Sequence, residues 1–209
     1  MSKKTIAIDI DDVLAANAKG FVEFSNERWG TKLKPDDYTE HWAEMWGIEH
    51  DEMNERRATI LSEKVFIKHR SFDDAKPALT KLGEKHNLVV VSSRSHEVHT
   101  DTRDWIENNF PGIFSEIHFA KIWDDPSVHI LDKLKLTKTE ICQEIGADYL
   151  IDDQPKHCFA VAKAGITTLL FGTYEWTNIS NLPKNVIRVK NWQEVLEFFD
   201  AESRQTVQK

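Results

Sequence analysis

The sequence predicts an α/β fold: a Rossmann-like parallel sheet with helices on both faces and a small helical insert after the first strand. Three observations lead there. Short apolar runs rich in β-branched residues recur at 5–8, 88–91, 116–119, 148–151, 167–171 and 186–189, and continuous apolar runs suit strands covered on both faces. A loop and a helical pattern follow each run, the alternation that parallel strands joined by crossover helices require. Residues 9–87 then separate the first run from the second, far more than one βαβ crossover uses.

That long segment reads as helical. Phe21, Val22, Phe24 and Trp29 fall at helical spacings, a Pro-Asp-Asp turn follows at 35–37, and Trp42, Met45 and Trp46 repeat at i, i+3 and i+4. The insert is placed at 17–72, with a core domain at 1–16 and 73–200. Thr137-Lys138-Thr139-Glu140 has the spacing of a capping box. Pro155 suits the first turn of the next helix and Gly165 its end. Asn191 caps a last helix whose Val195, Leu196 and Phe199 share a face. The polar stretch 201–209 is expected to be a flexible tail.

Composition narrows the function classes. The chain has 209 residues, room for one core domain and a small accessory element. It has no apolar run near the roughly 18 residues of a membrane span. Met1-Ser2-Lys3-Lys4 leads straight into the first strand, so a cytoplasmic location is expected and the Asn178-Ile179-Ser180 sequon is fortuitous. Acidic residues exceed basic ones, 35 to 27, which disfavours gripping duplex nucleic acid through its backbone. A small phosphorylated substrate stays compatible, because a metal and a few local cations can hold one. Cys142 and Cys158 lie in helix-like segments and read as buried, inert thiols.

Four groups of residues carry the chemistry. Asp9 and Asp11 follow the first strand with the same facing, at the sheet edge where open parallel sheets bind ligands. Asp152 and Asp153 follow the fourth run and reach the same edge if the two strands are neighbours. Two carboxylates ~4 Å apart repel by about 4 kcal/mol at an effective dielectric of 20. Three or four together therefore need protons or a cation, and Mg²⁺, a hard oxygen-seeking ion, suits them. Lys138 opens a helix where a phosphate could sit; Lys121, Lys133 and Lys135 compete for its role. Ser92, Ser93 and Arg94 follow the second run, where a hydroxyl can donate to a phosphate oxygen.

An Asp-x-Asp-x-Val motif after the first strand, Ser after the second, Lys opening a helix and Asp-Asp after a later strand are similar to the four-motif order of the haloacid dehalogenase (HAD) superfamily. The resemblance covers nearly the whole chain. Tyr149-Leu-Ile-Asp-Asp-Gln-Pro155, with the insert after the first strand, resembles the 5′(3′)-deoxyribonucleotidases and their bacterial relatives.

The resemblance implies a Mg²⁺-dependent phosphomonoesterase, in which Asp9 attacks phosphorus and forms an aspartyl-phosphate. Asp11 then protonates the leaving oxygen and helps water attack the intermediate. Ser92 and Lys138 hold the transferring oxygens. Asp9, the Asp11 main-chain carbonyl and either Asp152 or Asp153 bind the metal, and Arg94 is a further candidate for the substrate phosphate. Asp11 must be protonated near neutral pH to act as an acid; neighbouring carboxylates push its pKa up and Mg²⁺ pulls it down. The deoxyribonucleotidases place an aromatic residue where this chain has Asn17, so stacking on a nucleoside monophosphate falls to Trp42, Trp46, Phe21 or Phe66. The nine histidines are read as surface or packing residues, with no zinc set near His96 and His99. A phosphatase of another small ester is the nearest alternative. A receiver-like phospho-accepting signalling module comes next, although it has no long insert. A catalytically silent scaffold conflicts with the complete motif set, and a dinucleotide-binding oxidoreductase lacks Gly-x-Gly-x-x-Gly after the first strand.

Overall fold

The computed structural model describes residues 3–120 and 137–207, with side chains to residue 204. Lys121, Lys133 and Lys135 lie outside the described residues. All six expected runs are strands of one parallel sheet: β1 (Lys4–Ile8), β2 (His86–Ser92), β3 (Glu116–Phe119), β4 (Tyr149–Asp152), β5 (Thr167–Phe171) and β6 (Val186–Val189). Their order is β3-β2-β1-β4-β5-β6. β1 is central, and the chain changes direction across the sheet between β1 and β4, the crevice where such sheets bind ligands. Ile8 pairs in register with Val90 on one side and Ile151 on the other. The Asp9 amide donates to the Ile151 carbonyl at 2.9 Å. The residues just beyond β1, β2 and β4 therefore emerge together.

Strand alternation divides the core between two faces. Ile6, Ile8, Val90 and Ile151 face one way and pack on α4 (Ala75–Lys85), α5 (His99–Asn109) and α8 (Trp192–Val207), through Leu79, Trp105, Trp192 and Phe199. Ala7, Val89, Val91 and Leu150 face the other way, against Ile141 and Cys142 of α6 (Lys138–Glu144) and Val161 of α7 (Pro155–Lys163). Both cysteines are buried and free.

The regular structure between β1 and α4 is helical: α1 (Asn17–Trp29), α2 (Trp42–Trp46), α3 (His50–Ser62) and two short 3₁₀ turns. Phe21, Ile60 and Val65 form the centre of its cluster, ringed by Phe24, Trp29, Trp42, Trp46 and Phe66. The two chain segments joining it to the sheet are tied to each other. The Ala16 amide donates to Arg70 O and the Phe72 amide to Leu14 O, each at 2.9 Å.

The expected caps form. Thr137 Oγ1 accepts from the Glu140 amide at 3.2 Å, and Glu140 Oε2 accepts from the Thr137 amide at 2.7 Å. Asn191 Oδ1 accepts from the Glu194 amide at 3.0 Å. Residues 201–207 continue α8. The hydroxyl of Tyr149, buried in the sheet, donates to Glu202 at 3.1 Å and ties the last turns down. Among the described residues, no helix is long and apolar enough to cross a membrane.

Candidate active site

The turn after β1 sets the site. Asp12 takes a left-handed conformation with φ of 57°, tolerable for Asp because its short polar side chain bonds locally. Its carboxylate accepts the Ala18 amide at 3.0 and 3.1 Å and the Tyr174 hydroxyl at 2.8 Å. Asp12 therefore caps α1. Asp9 and Asp11, two apart, line a common cavity.

Asp9, Asp152 and Asp153 come together: one carboxylate oxygen from each lies within 4.8 Å of the others, and all three residues are buried. The only basic side chain ion-paired with them among the described residues is Lys138, also buried. Its Nζ lies 2.8 Å from Asp9 Oδ1 and 2.7 Å from Asp152 Oδ2. One ammonium against three carboxylates leaves net negative charge in a desolvated place. Burial pushes Asp9 up to about 7 despite the pull of Lys138. Burial also lifts Asp153 well above the usual carboxylate range, with Asp12, Asp152 and Asp9 adding to the shift.

The hydrogen bonds separate the Asp152/Asp153 pair. Both oxygens of Asp152 are engaged, Oδ2 by Lys138 and Oδ1 by the Gln154 amide at 2.8 Å. On Asp153, Oδ2 accepts from Gln154 Nε2 at 2.8 Å and Trp176 Nε1 at 2.9 Å, whereas Oδ1 takes no hydrogen bond among the described residues. Asp153 lines the cavity and Asp152 does not. Asp9 Oδ1 is buried and, though close to Lys138, receives no hydrogen bond of acceptable direction. Three buried carboxylates that share one ammonium, with Asp153 keeping one oxygen toward the cavity, are a donor set that fits a hard divalent cation.

Asp11 is held differently. Arg94 grips it with two bonds, Nη2 to Oδ1 at 2.7 Å and Nε to Oδ2 at 3.1 Å. Burial raises the Asp11 pKa, but the guanidinium outweighs it and leaves the group below the usual range. Arg94 also donates from Nη1 to Thr102 Oγ1 at 3.2 Å and lies over the Phe66 ring at 5.2 Å. It lines the cavity with three of its five N–H donors on protein partners.

Ser92, the last residue of β2, is fully buried, accepts from the Arg94 amide at 3.2 Å and does not line the cavity. Ser93 does line it, and its buried Oγ has no partner. Consecutive residues at a strand end face opposite ways, so of the two expected hydroxyls Ser93 is the one on the cavity wall. Trp42 lines the cavity, but Trp46 does not. Trp46 stacks on Phe21 at 5.7 Å and meets Trp29 edge-on at 5.1 Å, and its Nε1 donates to Ser25 at 3.3 Å. Trp46→Ala should therefore destabilise the protein by roughly 2–3 kcal/mol, below the ~3–5 kcal/mol of fully buried aromatics because the ring is only half-buried. Trp42→Ala should instead change relative rates across phosphate esters with a smaller loss of melting temperature. Equal effects of the two on selectivity would place both in one role.

The cavity, about 440 Å³, has Asp9, Asp11, Asp153 and Lys138 at one end and Tyr38, Trp42, Phe66 and Leu61 of the insert over it. That is within the range of small-molecule sites. Sequence reading missed two residues here, His157 and His69, and had Asn17 only as the position where the resembling family carries an aromatic. Asn17 lines the cavity with a buried, unpartnered Oδ1. His157, read as surface or packing, lines it too, and burial holds its pKa down at about 4. His69 is buried with both ring nitrogens unpartnered and is pushed down to about 4 by burial and then by Arg94. Nothing in spacing or composition marks these three.

A central parallel sheet presenting carboxylates from β1 and β4, with a helical insert over the cavity, defines a phosphatase of the HAD superfamily. The model of the 5′ nucleotidase, deoxy (pyrimidine), cytosolic type C (NT5C) family matches residues 3–205, and the chain belongs to that family. A nucleotidase of Clostridium acetobutylicum is 24% identical over 201 residues, covering 96% of this chain and 95% of the relative. A 5′(3′)-deoxyribonucleotidase of the same organism is 31% identical over 117 residues, 54% of this chain and 62% of the relative. Among solved structures, a haloacid dehalogenase-like hydrolase from Streptococcus pneumoniae shares the fold, with a TM-score of 0.68 at 14% identity, covering 94% of this chain and 98% of its own.

Proposed function

We propose that the protein is a Mg²⁺-dependent phosphomonoesterase acting on nucleoside monophosphates through an aspartyl-phosphate on Asp9. Three buried carboxylates, Asp9, Asp152 and Asp153, converging on a single ammonium carry this reading. Asp9, Asp153 and the Asp11 main-chain carbonyl would hold Mg²⁺, with Asp152 orienting Lys138 behind them. When bound, the ion supplies charge neutralisation for the transferring phosphoryl group. A D,D-heptose 1,7-bisphosphate phosphatase from B. bronchiseptica that shares the fold, with a TM-score of 0.58 at 14% identity, is complexed with magnesium and phosphate.

The chain's own residues perform the remaining steps. Asp9 attacks phosphorus in line, a weak nucleophile made effective by being held in place. Lys138 and the Ser93 hydroxyl stabilise charge on the equatorial oxygens. Asp11 gives its proton to the leaving oxygen and takes one back from the water that cleaves the intermediate. The dianionic ester competes with Asp11 for Arg94, and Asp11, released from the guanidinium that holds it ionised, takes up from solvent the proton that it then gives. Tyr38, Trp42 and Phe66 supply flat apolar surface for a base, and Asn17 Oδ1 an acceptor. The test is a screen of nucleoside monophosphates, sugar phosphates and 4-nitrophenyl phosphate with Mg²⁺ or with EDTA. The reading expects Mg²⁺-dependent phosphate release, fastest on nucleotides. Rates unaffected by EDTA, or a strong preference for sugar phosphates, would overturn the metal and substrate parts respectively.

A pH dependence follows. Asp9 and Asp12 have folded pKa values of about 7 against an ordinary 3.8, so the folded state holds more protons than the unfolded state between those values. Stability contributed this way is complete below pH 3.8 and is lost as pH rises through 7. His69 and His157, held at about 4 instead of 6.5, act oppositely, but only below 6.5. Between pH 6.5 and 8 the carboxylates dominate: in EDTA the melting temperature should fall across this window, and Mg²⁺ should remove most of the fall. A flat profile in EDTA would contradict the crowded, uncompensated carboxylates.

A further inference from the structure

Resting on the metal reading above, we propose that Trp176 is a positioning residue that fixes the Asp153 carboxylate for metal binding without touching substrate. Trp176 lies in the 3₁₀ turn Glu175–Thr177 after β5 and is not among the residues lining the cavity. An indole has one polar group, a donor with a single direction. Here it points at Asp153 Oδ2 from 2.9 Å, and Gln154 Nε2 reaches the same oxygen from 2.8 Å. Two donors on one oxygen set the rotation of the carboxylate and leave Oδ1 as the oxygen free to ligate.

The indole is itself held in place. Its ring lies flat on Tyr174, with centroids 4.3 Å apart and planes within 4°, and the Tyr174 hydroxyl is anchored on Asp12 at 2.8 Å. Thr177 Oγ1 donates to the Tyr174 carbonyl at 2.8 Å, closing the turn. Gly172, with φ of +99°, admits the Tyr174 ring, since a Cβ there would sit 3.0 Å from it. The Glu175 amide donates to Asp36 of the insert at 3.1 Å. The aromatic pair is thus a plate braced from the sheet, from the cap of α1 and from the insert, with its one free donor aimed at the ligand. Groups that orient a metal-binding side chain typically change affinity 10- to 100-fold when removed.

The experiment is calorimetric titration of Mg²⁺ into the parent, Trp176→Phe, Gln154→Leu and Tyr174→Phe at one pH, with melting temperatures in EDTA alongside. Trp176→Phe keeps the stacking and removes the donor. It should weaken Mg²⁺ binding about tenfold or more, with a melting temperature in EDTA close to the parent's. Gln154→Leu should weaken it in the same direction, and keeps the test decidable if Trp176→Phe folds poorly. Tyr174→Phe should bind within threefold of the parent. Parent-like binding by a folded Trp176→Phe would overturn the proposal, as would parent-like binding by Gln154→Leu where Trp176→Phe does not fold, or an equal loss in Tyr174→Phe, which would trace the effect to the plate and not to the donor. A parent that binds no Mg²⁺ would remove the metal reading itself.

Discussion

Asp9→Asn should abolish phosphate release while leaving the fold intact. Replacing a nucleophile that forms a covalent intermediate costs several orders of magnitude, on the order of 10⁴-fold or more. The amide retains the shape of the carboxylate, so binding and packing change little. Its effect on stability should have the opposite sign. Burial pushes Asp9 up to about 7, so its charged form is disfavoured in the folded protein above that pH. An amide relieves that strain, and in EDTA at pH 8 the variant should melt higher than the parent. Activity within tenfold of the parent would show that Asp9 is not the nucleophile. A lower melting temperature would show that the Lys138 pairing outweighs desolvation.

Lys138→Met should be the most destabilising single change at the site. The ammonium is 2% exposed and bridges Asp9 and Asp152 at 2.8 and 2.7 Å. Its loss leaves three buried carboxylates without a protein cation, and breaking a buried ion pair from one side costs about 3–5 kcal/mol. For a chain of this size that corresponds to a fall of roughly 6–20 °C. The fall should shrink at low pH, where protonation replaces the missing charge, and on adding Asp152→Asn, which removes one of the stranded anions. Activity should be lost in either background, because the transferring oxygens lose their cation. A melting temperature within 2–3 °C of the parent, near the ~1 kcal/mol scale of surface substitutions, would contradict the electrostatic account.

Much of this was legible in the chain. All six strands could be read because buried parallel strands are continuously apolar, and the capping box is a local signal, so the start of α6 at Lys138 could be read too. Asp9, Asp152 and Asp153 could be named but not brought together, since the adjacency of β1 and β4 is a property of strand order. α3 (His50–Ser62) went unassigned individually because it is polar almost all round, with only Ile60 buried. The Ser92/Ser93 choice turned on which way one side chain faces at the end of β2. Trp42 and Trp46 share a helical spacing and differ only in what lies above them. Asn17 and His69 matter through burial without partners, and Arg94 through its grip on Asp11. Those are facts of packing, to which sequence patterns are blind.

Diffraction from crystals grown with Mn²⁺ in place of Mg²⁺ tests the account most directly, because the anomalous signal locates the ion without prior assumption. The account predicts one strong peak between Asp9 and Asp153, with carboxylate oxygens at roughly 2.1 Å and Asp152 facing Lys138. A peak elsewhere, or none in crystals of an enzyme that still turns over with that metal, would contradict it.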